Sequence, residues 1–503
     1  MASNVLLSIL SGILLALSFA GFGIYGLAWV GLAPFFLALG RAENLRQALA
    51  CGLFFGLTFF GMHLFWITEL YRFVQWWVAP ALAALVLFQT AYILVFVTIS
   101  RLFLAASGPA EERRPPLQPA ASALVAKGKR ASGGAGALRD LFYVFALAAL
   151  WVVVERARAL GAFGVTAGNI GYTQAPLLPL IQIASHTTVY GVSFLLALFN
   201  AALALFISDL KRWQPLALAA LLVLAAAGYG SQVLALAERT EQSASLTDVL
   251  RGGPLPRRFA LVQPNIDQKD KLNPALVPAI FDIHAEMTEQ AALDKPGIII
   301  WPETAIFSYL LHDGRLLPRL RGLARESKAW IIFGTPHYAG GKAYNSIVAM
   351  SPEGEIVSRY DKQQLVPFGE YLPFRRYLYP MLKGVGYYDS EFSPGAGPRP
   401  VAADGLKLAA AVCFESTFPE LIRERVLEGP DLILLVTNDA WFGDSSVLDF
   451  HLSTAVFRAV ENRKYFIQAG NTGYSALIDP YGRMLKRSEV NRRQILTFEV
   501  PLS

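Results

Sequence analysis

The sequence predicts a multi-pass α-helical membrane bundle joined to an α/β domain outside the cytoplasm. Three observations carry this expectation. Charged residues make up only 16% of the 503 residues, below the roughly 25% of soluble domains, and most of them lie after residue 235. Lys and Arg gather in alternate connections between the long apolar runs of the first half. From about residue 258 onward the long runs give way to short ones separated by helix-like segments.

A membrane helix needs about 20 mostly apolar residues. Seven stretches qualify, at about 4–20, 23–40, 47–68, 78–100, 141–156, 187–208 and 213–230. The first lacks the basic n-region of a signal peptide and further spans follow at once, so it is read as retained. The connection after the second span carries Arg41 and Arg46. That after the fourth carries Arg113, Arg114, Lys127, Lys129, Arg130 and Arg139, and that after the sixth carries Lys211 and Arg212. Basic connections face the cytoplasm. The N-terminus is then inside and everything beyond about residue 235 outside, in the periplasm or on the outer face of the plasma membrane. Arg156 and Arg158, at the outer end of the fifth span, run against this rule. They are expected to be interfacial anchors or functional charges.

Residues 1–235 are therefore expected to form the membrane domain, 236–257 a linker and 258–503 a catalytic domain. The basic loop near 107–139 is rich in Ala, Gly and Pro and is expected to be a disordered cytoplasmic loop. The stretch GAFGVTAGNIGYTQAPLLPLIQIAS, 161–185, is apolar and punctuated by Gly and Pro. It is expected to lie in the membrane interface, to line a lipid-facing cavity, or to be an ordinary long loop.

In the second half the runs FALVQ, GIIIW, AWIIFG, SIVAM, LKLAAAVC, DLILLVT and YFIQAG read as buried strands. Segments such as Pro274 to Ala292 and Phe418 to Leu427 read as helices between them. In sheets of this kind, ligand sites favour the carboxyl ends of the strands. Three groups stand out, the first and the last of them at such ends. Glu303 follows GIIIWP, where an acid at a helix N-terminus is the plain alternative. Lys362 lies in YDKQQLVPFGE, where a loop lysine is ordinarily solvated. Cys413 ends LKLAAAVC, where a free cysteine ordinarily packs in a core. The chain has only 2 cysteines, and Cys51 lies in an apolar run far away in sequence, so Cys413 is expected to be a free thiol. Together the three groups make a coherent machine. The carboxylate takes the thiol proton, the thiolate attacks a carbonyl, and the ammonium steadies the oxyanion with a backbone N–H near Phe414. Spacing along the chain does not by itself bring them together.

The motifs GIIIWPETAI, YDKQQLVPFGEYLPF, AAVCFES and TNDAWFG, in this order, resemble the nitrilase superfamily. That resemblance implies an αββα sandwich. It implies a triad with Glu303 as base, Lys362 as oxyanion stabiliser and Cys413 as nucleophile. It also implicates Glu370 of VPFGE, which would hold Lys362, and Glu415, which would orient the turn bearing Cys413. Asn345, Asn438, Asp439 and Trp441 are expected to shape the pocket or to serve the turns. Joined to a membrane bundle, the domain resembles the bacterial apolipoprotein N-acyltransferase family. Membership would imply transfer of a fatty acyl chain from a phospholipid, through a cysteine thioester, to the α-amino group of a diacylglyceryl-cysteine. The alternative is a membrane-bound amidase of nitrilase type acting on a small amide. A transporter or scaffold is disfavoured, since it leaves a complete triad without a use.

Two departures stand against the family pattern. The loop QPNIDQKDKLN lacks the family's Trp, and the family carries a further membrane helix where this sequence ends at RRQILTFEVPLS. Nothing implies a cofactor: no His/Cys cluster has metal-ligand spacing and no Gly-rich loop reads as a phosphate cradle. A net charge of +6 without a basic, aromatic-interleaved stripe gives no reason to expect nucleic acid. The expected partners are a phospholipid donor, a diacylglyceryl apolipoprotein acceptor and membrane lipid, with the protein a monomer.

Overall fold

The structure, a computed structural model, describes residues 1–106, 134–251, 256–382 and 391–502. The chain divides into two compact units, Met1–Val233 and Leu234–Ser503.

In the first unit the main helices are α1 (Ala2–Leu17), α2 (Ala33–Arg41), α3 (Leu45–His63), α4 (Val78–Ala106), α5 (Gly134–Arg158), α6 (Ala184–Ser208) and α7 (Gln214–Arg251). Among the described residues, five helical stretches are long and apolar enough to cross a membrane: Leu45–His63, Phe65–Leu102, Gly136–Arg158, Ala184–Ser208 and Gln214–Glu241. The protein is a membrane protein. The first two expected spans are shorter apolar helices, Ala2–Leu17 and Tyr25–Arg41. The second is broken ahead of Pro34, which cannot donate to a continuous helical ladder. Asn200 of α6 supplies what the break removes. Its Oδ1 accepts from the N–H groups of Leu32 and Ala33, each at 2.9 Å, and its Nδ2 donates to the Ala28 carbonyl at 2.9 Å.

Arg158 explains part of the charge anomaly. It is buried, donates to the Ala167 carbonyl at 2.6 Å, and stands over the Phe60 ring at 5.0 Å. It is therefore a tether for the chain that follows α5, not a loop charge, whereas Arg156 is exposed. Glu155 completes the tether by accepting from Trp151 Nε1 at 2.9 Å and from the Ile170 N–H at 2.8 Å. The Gly/Pro-punctuated stretch is thus not an ordinary loop: Ile170–Gln174 forms a buried 3₁₀ turn. Irregular backbone is tolerated in a membrane protein where protein groups satisfy it.

Two further stretches bear on the expected boundaries. Residues 107–133 of the basic loop lie outside the described residues, while Arg139 belongs to α5. The expected linker is helical as far as Arg251, because residues 234–251 contain good helix formers and neither Gly nor Pro.

The second unit holds two six-stranded sheets, ordered β12-β1-β2-β3-β4-β5 and β11-β10-β9-β8-β7-β6. The strands are β1 (Arg257–Gln263), β2 (Ile298–Ile300), β3 (Trp330–Ala339), β4 (Lys342–Met350), β5 (Ile356–Asp361), β6 (Val401–Ala403), β7 (Leu406–Val412), β8 (Leu432–Thr437), β9 (Phe466–Gly470), β10 (Ala476–Ile478), β11 (Met484–Arg487) and β12 (Gln494–Val500). Within each sheet three central strands are parallel, β1-β2-β3 and β7-β8-β9, and the flanking pairs are antiparallel.

The period-2 alternation of a strand sorts the apolar residues into layers. Phe259, Leu261, Ile298 and Ile300 of one sheet share a core with Leu408, Val412, Leu434 and Val436 of the other. Their neighbours Ala260, Val262, Ile299 and Ile331 point the opposite way, against α8 (Val277–Ala292) and α9 (Leu316–Ser327). Helices α10 (Pro419–Leu427) and α11 (Val447–Asn462) pack on the second sheet. This is the αββα sandwich. The sheets face each other, and the carboxyl ends of both parallel triplets open onto one site.

Candidate active site

Each expected triad residue sits just past the end of a strand. Glu303 follows β2 by three residues, in a turn rather than at a helix N-terminus, and its neighbour Thr304 has φ +42°. The turn is pressed against β3: a Cβ on Gly334 would lie 2.7 Å from the Glu303 Cα, so only glycine fits there. Lys362 directly follows β5, and its N–H donates to the Asn345 carbonyl of β4 at 2.8 Å. Cys413 directly follows β7 with φ +49°, in the left-handed region that disfavours a side chain. Strain of this kind persists only where the surroundings fix it.

Glu415 does the fixing. Its carboxylate is buried and accepts from the Val412 N–H at 2.8 Å, from the Gln363 and Gln364 N–H groups at 2.8 and 3.1 Å, from Tyr360 Oη at 2.8 Å, and from Arg425 Nη2 at 2.8 Å. It therefore ties the turn after β7 to the loop after β5, and so Cys413 to Lys362. Although burial opposes ionisation, Arg425 and the hydrogen bonds hold its carboxyl below the ordinary value.

Glu303, Lys362, Glu370 and Asn345 form a second cluster. Lys362 Nζ lies 2.9 Å from Glu370 Oε2 and 3.7 Å from Glu303 Oε1, and it is buried. Asn345 Nδ2 donates to Glu303 Oε1 at 2.8 Å and to Glu370 Oε1 at 2.9 Å. The Val366 N–H holds the other Glu370 oxygen at 2.8 Å. From the end of β8, the Asn438 N–H donates to Glu303 Oε2 at 2.9 Å. The Asn438 side chain is fixed by Gln268 at 2.7 Å and by Asn471 at 2.9 Å.

The charges follow from this packing. Burial pushes the Glu303 carboxyl up, with Glu370 adding to the effect and Lys362 opposing it. Burial works against the Lys362 ammonium, but Glu370 and Glu303 more than offset it and the lysine stays charged. Burial raises the Cys413 thiol, Glu303 adds to this, and Lys362 opposes it. Thiol and carboxyl thus both resist ionisation beside a fixed cation, the kind of perturbation that marks functional sites. A second ammonium, Lys271, donates to the Glu303 carbonyl at 3.1 Å; burial depresses it to about 7, against the pull of Glu303.

The remaining expected residues are placed as follows. The Phe414 ring meets Phe418 edge-on, with centroids 4.9 Å apart. Trp441 is half-buried in the turn Asp439–Phe442. Asp439 accepts from Thr437 at 3.0 Å and meets His451 Nδ1 at 2.9 Å. Tyr360, Arg425, Lys271, Gln268 and His451 were not singled out by the sequence. Their places are set by tertiary contacts with groups on other elements. Cys51 is buried in α3, and both cysteines are free.

Comparison with known proteins settles the family. The profile of the apolipoprotein N-acyltransferase N-terminal domain matches residues 11–202, and that of the carbon-nitrogen hydrolases matches residues 258–503. A protein of Geobacter metallireducens named apolipoprotein N-acyltransferase is 34% identical over 518 aligned positions, covering 99% of this chain and 89% of its own. The chain belongs to the apolipoprotein N-acyltransferase family. A second relative of that name, from Methylococcus capsulatus, is 32% identical and covers 98% of this chain and 89% of its own. As an apolipoprotein N-acyltransferase family member the protein is an acyltransferase, and the carbon-nitrogen hydrolase match covers Glu303, Lys362 and Cys413 alike.

Proposed function

We propose that this enzyme moves a fatty acyl chain from a phospholipid to the α-amino group of the diacylglyceryl-cysteine that begins an apolipoprotein, by way of a thioester on Cys413. The observation that carries this reading is the convergence of Glu303, Lys362 and Cys413 at strand ends, in a chain whose first unit is a membrane bundle of the same family. In the first half-reaction Glu303 takes the Cys413 proton as sulfur attacks the ester carbonyl. Lys362 and the Phe414 N–H face the oxyanion. Collapse breaks the ester C–O bond, the proton passes from Glu303 to the leaving oxygen, and a lysophospholipid departs. In the second half-reaction the amine attacks the thioester, Glu303 takes the amine proton, and Cys413 leaves and is reprotonated. Glu370 and Asn345 hold the lysine and the base, Glu415 holds the nucleophile's turn, and Asn438 and Trp441 shape the acceptor side.

A thioester suits this ping-pong because thiolate leaves readily. Lipid-anchored donor and acceptor also account for the membrane unit. We further infer that the protein is a monomer of the bacterial inner membrane with its catalytic unit in the periplasm. Five crossings or seven, both odd, leave the catalytic unit on the opposite side from the N-terminus. Asp313→Cys should then react with a membrane-impermeant thiol reagent in intact spheroplasts; protection until lysis reverses the orientation.

The activity is tested with the purified full-length enzyme in phospholipid vesicles and a diacylglyceryl peptide. The expected product is N-acylated peptide with an equivalent of lysophospholipid. Release of free acid and ammonia from a small amide, with no acylated peptide, favours the amidase instead.

A further inference from the structure

We propose that Cys413, Asp439 and His451 form a binding site for a thiophilic divalent cation of the Zn²⁺ type, whose occupancy shuts the enzyme off. The thiol sulfur, a carboxylate oxygen and an imidazole nitrogen all lie within 4.8 Å of one another. They come from three elements: the end of β7, the turn after β8, and the buried face of α11. This scatter hides the cluster from any search for close ligand spacing along the chain.

The donor set is informative. Thiolate, imidazole and carboxylate are the three ligand types of zinc, and three protein ligands leave a fourth tetrahedral position open. Soft sulfur selects against the hard cations Mg²⁺ and Ca²⁺. A second observation is independent of proximity. Asp439 is fully buried, yet Oδ2 has no hydrogen-bond partner among the described residues, while Oδ1 is met by Thr437 and His451. A buried carboxylate oxygen without a donor is costly, and a cation is one way to satisfy it. His451 is also buried, whereas Cys413 is partly exposed, so a cation would reach the site from the thiol side. Lys362 opposes a nearby cation, but Glu370 and Glu303 stand beside its charge.

The step balances simply. The Cys413 S–H bond is lost, the sulfur–metal bond forms, and one proton leaves to solvent for each cation bound. The metal then holds the electron pair that attacks the donor carbonyl. The same sulfur in a thioester lacks that pair, so acylation and metal binding exclude each other, and by linkage each weakens the other. Binding itself does not depend on the proposed function; its effect on activity and its exclusion by acylation rest on Cys413 being the nucleophile.

The test uses full-length protein in detergent, stripped with a chelator, with Co²⁺ and Zn²⁺ as probes. One Co²⁺ should bind and give the near-ultraviolet sulfur-to-cobalt charge-transfer band, displaced by Zn²⁺. Zn²⁺ X-ray absorption of the wild type should show one sulfur together with imidazole scattering. Enzyme first acylated with phospholipid should give no band. His451→Asn, checked for its fold by thermal unfolding, should bind Co²⁺ at least 10-fold more weakly and need a correspondingly higher Zn²⁺ concentration for half-inhibition of its own activity. A sulfur-only zinc environment, or a band of normal affinity in folded His451→Asn, overturns the site and leaves an ordinary reactive thiol. A band that survives acylation overturns the exclusion. A normal band without inhibition keeps the site and counts against Cys413 as nucleophile.

Discussion

Glu303 and Glu415 are buried carboxylates just past the ends of parallel strands, and the structure treats them in opposite ways. Glu415 takes three backbone N–H groups, a tyrosine hydroxyl and an arginine, and its proton is driven off. Glu303 takes one asparagine amide and one backbone N–H, stands beside Glu370 as well as Lys362, and holds its proton more firmly than a free carboxyl does. The difference teaches which acid can do chemistry. A carboxylate with every lone pair occupied is a joint. One with fewer donors, in a dry site, can accept and return a proton.

The largest effect should come from the proposed nucleophile. Cys413→Ser should abolish thioester formation and N-acylation, because a serine hydroxyl is a far weaker nucleophile here. Near-normal transfer by that variant, in the vesicle assay, removes Cys413 from the mechanism. Next is the joint itself. Glu415→Ala leaves Arg425 buried without its carboxylate, a change worth about 3–5 kcal/mol. Thermal unfolding should show that loss together with loss of acylation. An unchanged unfolding temperature means that the turn bearing Cys413 does not depend on Glu415.

Much of this site was legible in the sequence, and the reason is local. A buried strand announces itself by an apolar run, and the residue at its end by position alone. Hence β1, β2, β7 and β8 were expected, with Glu303 and Cys413 at their ends. Tyr360 and Arg425 were not expected, since their partner Glu415 lies on another element. The break before Pro34 carried a signal in the proline itself, but its repair by Asn200 carried none. Arg158 stood against the charge rule because hydropathy does not register a buried carbonyl as a partner.

A smaller effect separates the two acids by pH. The Glu415 carboxyl is held below its ordinary 4.5, so its contribution to stability is fully present above that value and is lost as pH falls through the lowered one. The Glu303 carboxyl is held above 4.5, so its sign is reversed: it favours the folded state when protonated and that advantage fades as pH rises through the raised value. Acid unfolding should therefore be less steep in Glu415→Gln than in the wild type, and no less steep in Glu303→Gln. The opposite pairing breaks the comparison. Cys51→Ala, in α3 of the first unit, should leave acylation almost unchanged in the same assay.

The central claim is that Glu303, not Glu415, moves the proton. The direct measurement is the rate of acyl adduct formation on Cys413, followed by intact mass spectrometry after mixing full-length enzyme with phospholipid alone. Glu303→Gln keeps shape and hydrogen bonding but not basicity. It should unfold at the wild-type temperature and acylate about 10²-fold to 10⁴-fold more slowly, the range of general acid–base groups. A folded Glu303→Gln enzyme that gains its adduct at the wild-type rate contradicts the account.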